Sequence, residues 1–342
     1  MEIERFSVRL RSPLETAPGR IERREGFLVF VEYQDTKGVG EATPLPGWTE
    51  SLDECRTALG RAAEIAEELD WGIALTKTDA PAARHGLALA LAEARARAAG
   101  QPLYRYLAAD RLVTSVPVNA TVGDQPTEAT AAAAEAAVDD GFDALKIKVG
   151  ARPLSTDIER LRAVRARVGD GVELRADANG AWTPEQAAEA LSAFADVGVA
   201  YVEQPLPADD LAGHARLRGG PVDVALDESL AEQSVDAILD ADAADVLVVK
   251  PMVVGGPDRA RDVARRARAA GVDPVVSTTV DAVVARTGAV HVAASLPDVR
   301  PCGLATGTLL ERDLSADPAP VSDGAIEVPQ GKGLGLPDRP AR

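Results

Sequence analysis

From Val116 onward the chain repeats one pattern, a short β-branched run followed by an Ala-rich amphipathic stretch. The runs are Val116–Ala120, Ala144–Lys148, Val172–Asp177, Ala200–Glu203, Val222–Asp227, Asp245–Lys250, Asp273–Ser277 and Val299–Gly303. Their starts recur every ~22–28 residues, the length of one βα unit. Eight parallel strands at that spacing predict an α/β fold closed into a TIM-like barrel and ringed by helices. An open doubly wound sheet would need a Gly-rich phosphate turn after its first strand. Ala120-Thr121-Val122-Gly123-Asp124 does not supply one.

The first hundred residues read differently. Ile3 to Leu10 and Phe27 to Tyr33 are β-rich, and Thr36-Lys37-Gly38 supplies turn chemistry before Val39-Gly40-Glu41. Two helical stretches follow, about Ser51 to Leu69 and about Ala80 to Ala99. Ser51 with Glu54 forms a capping-box pattern at the first, and Gly100 before Pro102 ends the second. These make an α+β unit. The tail from about Leu309, rich in Pro, Gly and Asp, is expected to return to it.

Composition narrows the partners. A net charge of −17 argues against nucleic acid or an anionic membrane surface. The start, MEIERFSVRL, is charged throughout and no apolar run reaches spanning length, so a soluble, cytoplasmic protein is expected. Cys55 and Cys302 are too few for a disulfide framework or a thiolate metal site. The acidic, lysine-poor balance suits concentrated salt, and it equally suits a genome rich in Arg and Ala codons. No large apolar patch marks an oligomeric interface, and no oligomeric state is predicted.

Against thirty-one arginines the chain has six lysines, and three of the six stand at strand ends: Lys146 and Lys148 in DALKIKVG, and Lys250 in VLVVKP. Between them come Asp177 in LRADANG, Glu203 in YVEQP and Asp227 in ALDES. All six fall at the ends of the second to sixth strand candidates, the active face of a barrel. Lys146 and Lys148, two apart on one strand, point the same way. Three converging carboxylates repel unless a hard cation joins them, and all-oxygen ligation suits Mg²⁺ or Mn²⁺ better than Zn²⁺. A lysine, unlike an arginine, can lose its proton, and Lys146 beside Lys148 would lower its neighbour's pKa by like-charge repulsion. Taken singly, an Asp at a strand end is more often a helix cap and a Lys-x-Lys pair a solvated edge. Five consecutive strands ending in this order point to removal of a proton α to a carboxylate, with the cation as Lewis acid.

These segments resemble the enolase superfamily, and LKIKVG, RADANG, EQP, LDES and VVKP are similar to the barrel motifs of its muconate-lactonizing subgroup. The resemblance implies a capping domain over 1–108, completed by 309–342, and a (β/α)7β barrel over 109–308. It makes Lys148 and Lys250 the catalytic pair with Lys146 beside them, and Asp177, Glu203 and Asp227 the metal ligands. The mandelate-racemase branch would place a His after the seventh strand, where this chain has Val276-Ser277-Thr278-Thr279. His85, His214 and His291 lie elsewhere and are expected to be surface or packing residues. Within the subgroup the chain is most similar to the o-succinylbenzoate synthases. Glu41-Ala42-Thr43-Pro44-Leu45-Pro46-Gly47, Arg175, and Ser277-Thr278-Thr279-Val280-Asp281 with Gly303-Leu304-Ala305-Thr306 carry that likeness. It implies substrate contacts from Pro46, Gly47, Arg175, Asn179, Ser277, Thr278, Thr279, Gly303 and Leu304. It also implies syn dehydration of a cyclohexadiene carboxylate, with a small-molecule carboxylate as the partner. Racemisation of N-acyl amino acids, dipeptide epimerisation and cycloisomerisation use the same metal and lysines and stay open. A barrel without catalysis would be expected to have lost some of the six.

Overall fold

In the computed structural model, which describes residues 1–16, 19–107, 111–337 and 339, the two halves of the chain adopt the two expected architectures. The first is an antiparallel sheet of β1 (Glu2–Thr16), β2 (Gly19–Tyr33) and β3 (Thr36–Ala42), in that order. The β2–β3 hairpin does not turn at Thr36-Lys37-Gly38, which lie inside β3. It turns at Gln34 (φ 49°) and Asp35 (φ 61°), flanked by the pair Tyr33 and Thr36. Two successive left-handed residues match the twist of a two-residue hairpin, and neither Gln nor Asp followed by Thr announces it in sequence.

Helices α1 (Leu52–Glu68), α2 (Trp71–Lys77) and α3 (Pro81–Ala98) cover this sheet. Ser51 caps α1 and Glu54 returns the bond, so the capping box is present. Helix α3 is buried along most of its length, because Gly38, Gly40 and Gly86 let it lie against β3. A Cβ on Gly40 would stand 2.0 Å from the Gly86 carbonyl oxygen. The short α4 (Leu103–Tyr106) leads toward the barrel. The boundary expected at 108/109 lies outside the described residues.

The barrel comprises β5 (Ala120–Val122), β6 (Ala144–Lys148), β7 (Glu173–Asp177), β8 (Val199–Glu203), β9 (Asp223–Leu226), β10 (Val246–Val249) and β11 (Asp273–Val276), all parallel. Between them run α5 (Thr127–Asp139), α6 (Leu154–Val168), α7 (Pro184–Ala195), α8 (Leu211–Leu217), α9 (Glu228–Glu232), α10 (Val235–Asp240), α11 (Pro251–Val254) and α12 (Pro257–Ala269). Helix α13 (Val283–Ala294) follows β11. Strand alternation sorts the side chains: Leu145, Ile147, Leu174, Val202, Leu226 and Leu247 join the helices' apolar faces in one core. Tyr201, Ala225, Val246 and Val275 pack together inside the barrel.

Two expected strands differ. The run Val116–Ala120 divides, and β4 (Ser115–Pro117) pairs antiparallel with β13 (Ala325–Glu327), itself paired with β12 (Val321–Ser322). The barrel's first strand starts only at Ala120. The expected eighth strand, Val299–Gly303, is reduced to two isolated parallel bridges, Cys302 with Val118 and Gly303 with Ser277. Those bridges join the first strand's segment to the seventh and close the ring. The tail meets the N-terminal unit at its start, through the antiparallel bridge Leu310–Leu10 and the Glu311 amide on the Arg9 carbonyl, then pairs with β4 and ends with Gly333 paired to Pro102.

Candidate active site

Parallel register brings the charged residues to one level. Lys148 pairs with Asp177 across β6 and β7, and Asp177 with Glu203 across β7 and β8. Asp227 stands one residue beyond β9, where Gln204 fixes it. The Gln204 carboxamide oxygen accepts from the amides of Asp227 (3.0 Å) and Ser229 (3.1 Å), while its nitrogen donates to Ser229 Oγ and the Leu206 carbonyl. Lys250 stands just past β10.

Asp177, Glu203 and Asp227 are almost wholly buried. Lys146 Nζ lies 2.7 Å from Glu203 Oε1 and 3.1 Å from Asp177 Oδ2. Lys148 Nζ donates to Asp177 Oδ2 at 2.6 Å and to Asn179 Oδ1 at 2.8 Å, and Lys250 Nζ to Asp227 Oδ2 at 2.6 Å. The two flanking lysines thus reach the carboxylate cluster from its two ends. Burial pulls the Lys146 ammonium down, but Asp177, Glu203 and Asp227 outweigh it and hold Lys146 well above its ordinary value. The like-charge effect expected of Lys146 is therefore set against three neighbouring carboxylates. Burial raises Asp177, yet Lys146 and Lys148 hold it well below the usual carboxylate range. Glu203 is pushed up to about 7 by burial and by Asp177, and burial also raises Asp227 against the pull of Lys250.

Among the described residues, no three His, Cys, Asp or Glu side chains are gathered closely enough to enclose a metal ion as they stand. The donor chemistry nonetheless fits a hard divalent cation. All three candidate ligands are buried oxygen donors, and Asp227 Oδ1 has no hydrogen-bond partner. Glu228, next in sequence, is a further acid: its Oε1 accepts from Asn179 Nδ2 at 2.9 Å and its Oε2 has no partner.

The remaining expected contacts are distributed unevenly. Ser277 Oγ donates to the Gly303 carbonyl, and a Cβ on Gly303 would stand 2.6 Å from that Oγ. Thr278 and Thr306 share a hydroxyl hydrogen bond of 3.0 Å, whereas the Thr279 hydroxyl donates to Asp281. Leu304 is buried in the barrel core. Arg175 shares the inward face with Asp177 but lies one layer deeper. Its guanidinium donates to Glu173, Asn119 and the Pro301 carbonyl and stacks 4.9 Å from the Tyr201 ring centroid. Pro46 and Gly47 are exposed in the turn Leu45–Thr49, and that turn carries a residue the motifs did not single out. The Trp48 ring centroid is 3.7 Å from Lys250 Nζ. Its signal in sequence is rarity, since aromatic residues are 4% of the chain. Gln204 and Glu228 were likewise unassigned, although both lie inside quoted motifs. The three histidines are all buried packing residues, and His291 stacks on Tyr104. The groove of ≈ 760 Å³ between Glu4–Arg9 and Glu311–Leu314 holds none of the lysines or carboxylates of this cluster.

A family model described as enolase C-terminal domain-like matches residues 129–339, and one described as the MenC N-terminal domain matches residues 1–94. The chain is 31% identical over 351 residues to the L-Ala-D/L-Glu epimerase of Bacillus subtilis (strain 168), covering 98% of this chain and 95% of that protein. The structure of a substrate-liganded complex of that epimerase is similar at a TM-score of 0.88 and 30% identity, over 97% of this chain and 96% of that one. Against the o-succinylbenzoate synthase of Thermobifida fusca (strain YX), identity is 36% over 219 residues, 63% of this chain and 67% of that protein. A dipeptide epimerase from Enterococcus faecalis V583, complexed with Mg and the dipeptide L-Leu-L-Tyr, matches at a TM-score of 0.86 and 27% identity, over 98% of both chains. Matches of this extent to both halves leave one assignment: the chain belongs to the enolase superfamily.

Proposed function

We propose that this protein is an o-succinylbenzoate synthase, dehydrating 2-succinyl-6-hydroxy-2,4-cyclohexadiene-1-carboxylate in menaquinone biosynthesis. The observation that carries the reaction class is the reach of Lys148 and Lys250 to opposite ends of one buried carboxylate cluster. Asp177, Glu203 and Asp227 would hold Mg²⁺, or Mn²⁺, which when bound supplies Lewis-acid stabilisation of charge developing on the substrate carboxylate. Lys148 would take the α-proton and return it to the departing hydroxyl on the same face. Asn179, hydrogen-bonded to Lys148, orients that amine. Lys250, with the Trp48 face against it, would stand as a cation opposite the ring. Lys146 balances the charge of Asp177 and Glu203. Pro46 and Gly47 of the capping turn, with Ser277, Thr278 and Gly303, would line the pocket. Arg175, Thr279 and Leu304 would support it from behind. The division of labour is a capping unit over 1–108 with 309–342 and a catalytic barrel over 109–308.

Two features favour the synthase over an epimerase. The segment Cys302-Gly303-Leu304-Ala305-Thr306 brings no carboxylate for a substrate ammonium, only a hydroxyl beside Thr278. The N-terminal 94 residues match the MenC N-terminal domain. A second reading, racemisation of N-acyl amino acids or dipeptides, is favoured by the full-length similarity to the Bacillus epimerase. The deciding test is an ultraviolet assay with the cyclohexadiene carboxylate and Mg²⁺, run beside polarimetry on an N-succinyl amino acid. Aromatisation abolished by EDTA is expected. Racemisation alone would transfer the assignment to the second reading, and no metal-dependent turnover of either substrate, nor of a dipeptide, would point to a scaffold.

A further inference from the structure

Helix α13 begins Ala282-Val283-Val284-Ala285 and has no capping side chain of its own. Three amides at its start, those of Ala282, Val283 and Ala285, are satisfied from outside the barrel. Glu41, on β3 and fully buried, accepts from the Ala282 amide through Oε1 and from the Ala285 amide through Oε2, both at 2.9 Å. A capping box divides those two duties between two residues of the helix itself; here one carboxylate from a separate sheet performs both. Asp313 accepts from the Val283 amide at 2.8 Å.

The same carboxylate accepts from Thr43 Oγ1, and the chain after Thr43 runs directly into the Leu45–Thr49 turn that lays Trp48 on Lys250. Arg24 of β2 fastens the other side. Its guanidinium donates to the Thr43 carbonyl (2.8 Å), the Pro44 carbonyl (3.2 Å) and the Val280 carbonyl (3.3 Å). Val280 has φ 60°, a left-handed conformation that a β-branched residue keeps only when its surroundings over-determine it. Arg24 and Glu41 therefore grip two walls at once: the capping turn, and the loop after β11 that carries Thr278 and Thr279.

We propose that Glu41 and Arg24 form a clasp that sets the spacing between the capping turn and the seventh-strand loop, which makes Glu41 a positioning residue for the pocket between them. The catalytic consequence rests on the function proposed above; the mechanical one does not. Burial and the neighbouring Asp281 push the Glu41 carboxyl up to about 7, an unfavourable placement that simple helix capping does not require.

The test separates a clasp from a cap. Ala282 has the extended backbone (φ −74°, ψ 178°) that an N-cap serine adopts, so Ala282→Ser can re-cap α13 locally. In Glu41→Ala/Ala282→Ser, KM is expected to stay raised ~10-fold with kcat within ~3-fold of wild type. Amide exchange at residues 45–49 and 277–281 should stay faster by ~10-fold. Return of both quantities to wild-type values would reduce Glu41 to a helix cap and overturn the proposal. Arg24→Met leaves the α13 cap in place and must speed exchange in the same two segments together; unchanged exchange there overturns the proposal as well. The exchange measurements need no substrate, so they judge the clasp even if wild type fails to turn over the cyclohexadiene carboxylate, which would count only against the proposed reaction.

Discussion

Replacing Lys146 by Met removes one charge and leaves an apolar stem of similar length. The ammonium lies 2.7 Å from Glu203 and 3.1 Å from Asp177, with the lysine side chain 15% exposed, so its loss leaves buried Glu203 without its nearest cation and Asp177 with Lys148 alone. Breaking a buried pair in this way costs ~3–5 kcal/mol. Unfolding entropy scales at ~2.1 cal/mol/K per residue, so for a chain of 342 residues each kcal/mol moves Tm by about 1.4 °C. Lys146→Met should then melt ~4–7 °C below wild type in EDTA, measured by calorimetry at fixed protein concentration. Magnesium at a hundred times its Kd should return ~2.7 kcal/mol, or about 4 °C, because a bound dication takes over the missing neutralisation. The reasoning is refuted if the variant melts within ~1 °C of wild type without metal, since the ammonium would then not be offsetting the carboxylates.

Further outcomes follow from the same geometry. Lys148→Ala should lower kcat by at least ~100-fold while the magnesium-induced rise in Tm stays within ~1 °C of wild type; full turnover would remove the proposed base. Gly40→Ala drives a methyl to 2.0 Å from the Gly86 carbonyl oxygen, so β3 and α3 must separate. Overpacking of that kind costs ~1–3 kcal/mol or more, and urea unfolding with an unchanged Cm would show that the contact is soft. Glu41, raised to about 7 from 4.5 with Asp281 and Asp313 adding to the burial, favours its protonated form in the fold. Its contribution is full below the unfolded value and is lost as pH rises through about 7. Between pH 8.5 and pH 5, wild type should gain on the order of 3 kcal/mol over Glu41→Gln. Parallel stability-against-pH curves would contradict the assignment.

Much of the candidate site's layout is legible because strand arithmetic is strict. A period of two puts Lys146 and Lys148 on the inward face, and register between neighbours then aligns Lys148, Asp177 and Glu203. The resemblance singles out Arg175 but says nothing of depth, and its guanidinium belongs to a lower layer with Tyr201. The eighth strand reads longer in sequence than it pairs, because β-branched content says nothing about pairing, which at Val299–Gly303 survives only as bridges at Cys302 and Gly303. The Gln34–Asp35 turn carries no glycine to announce it. Trp48 and Glu41 act across more than two hundred residues, on Lys250 and on the start of α13, and no local pattern encodes a partner so distant.

Closure of the ring through Cys302 sets a timetable for the newborn polypeptide. Val118 leaves the ribosome about 180 residues before its neighbour in the ring. At typical elongation rates, ~5–20 residues per second, that interval is about 10–40 s. For all of it the first staves stand beside an open edge, the kind of surface that recruits stray strands. A protein assembled in this order should depend more on chaperones during translation than its final stability suggests, and should aggregate most readily when translation stalls between β11 and Cys302.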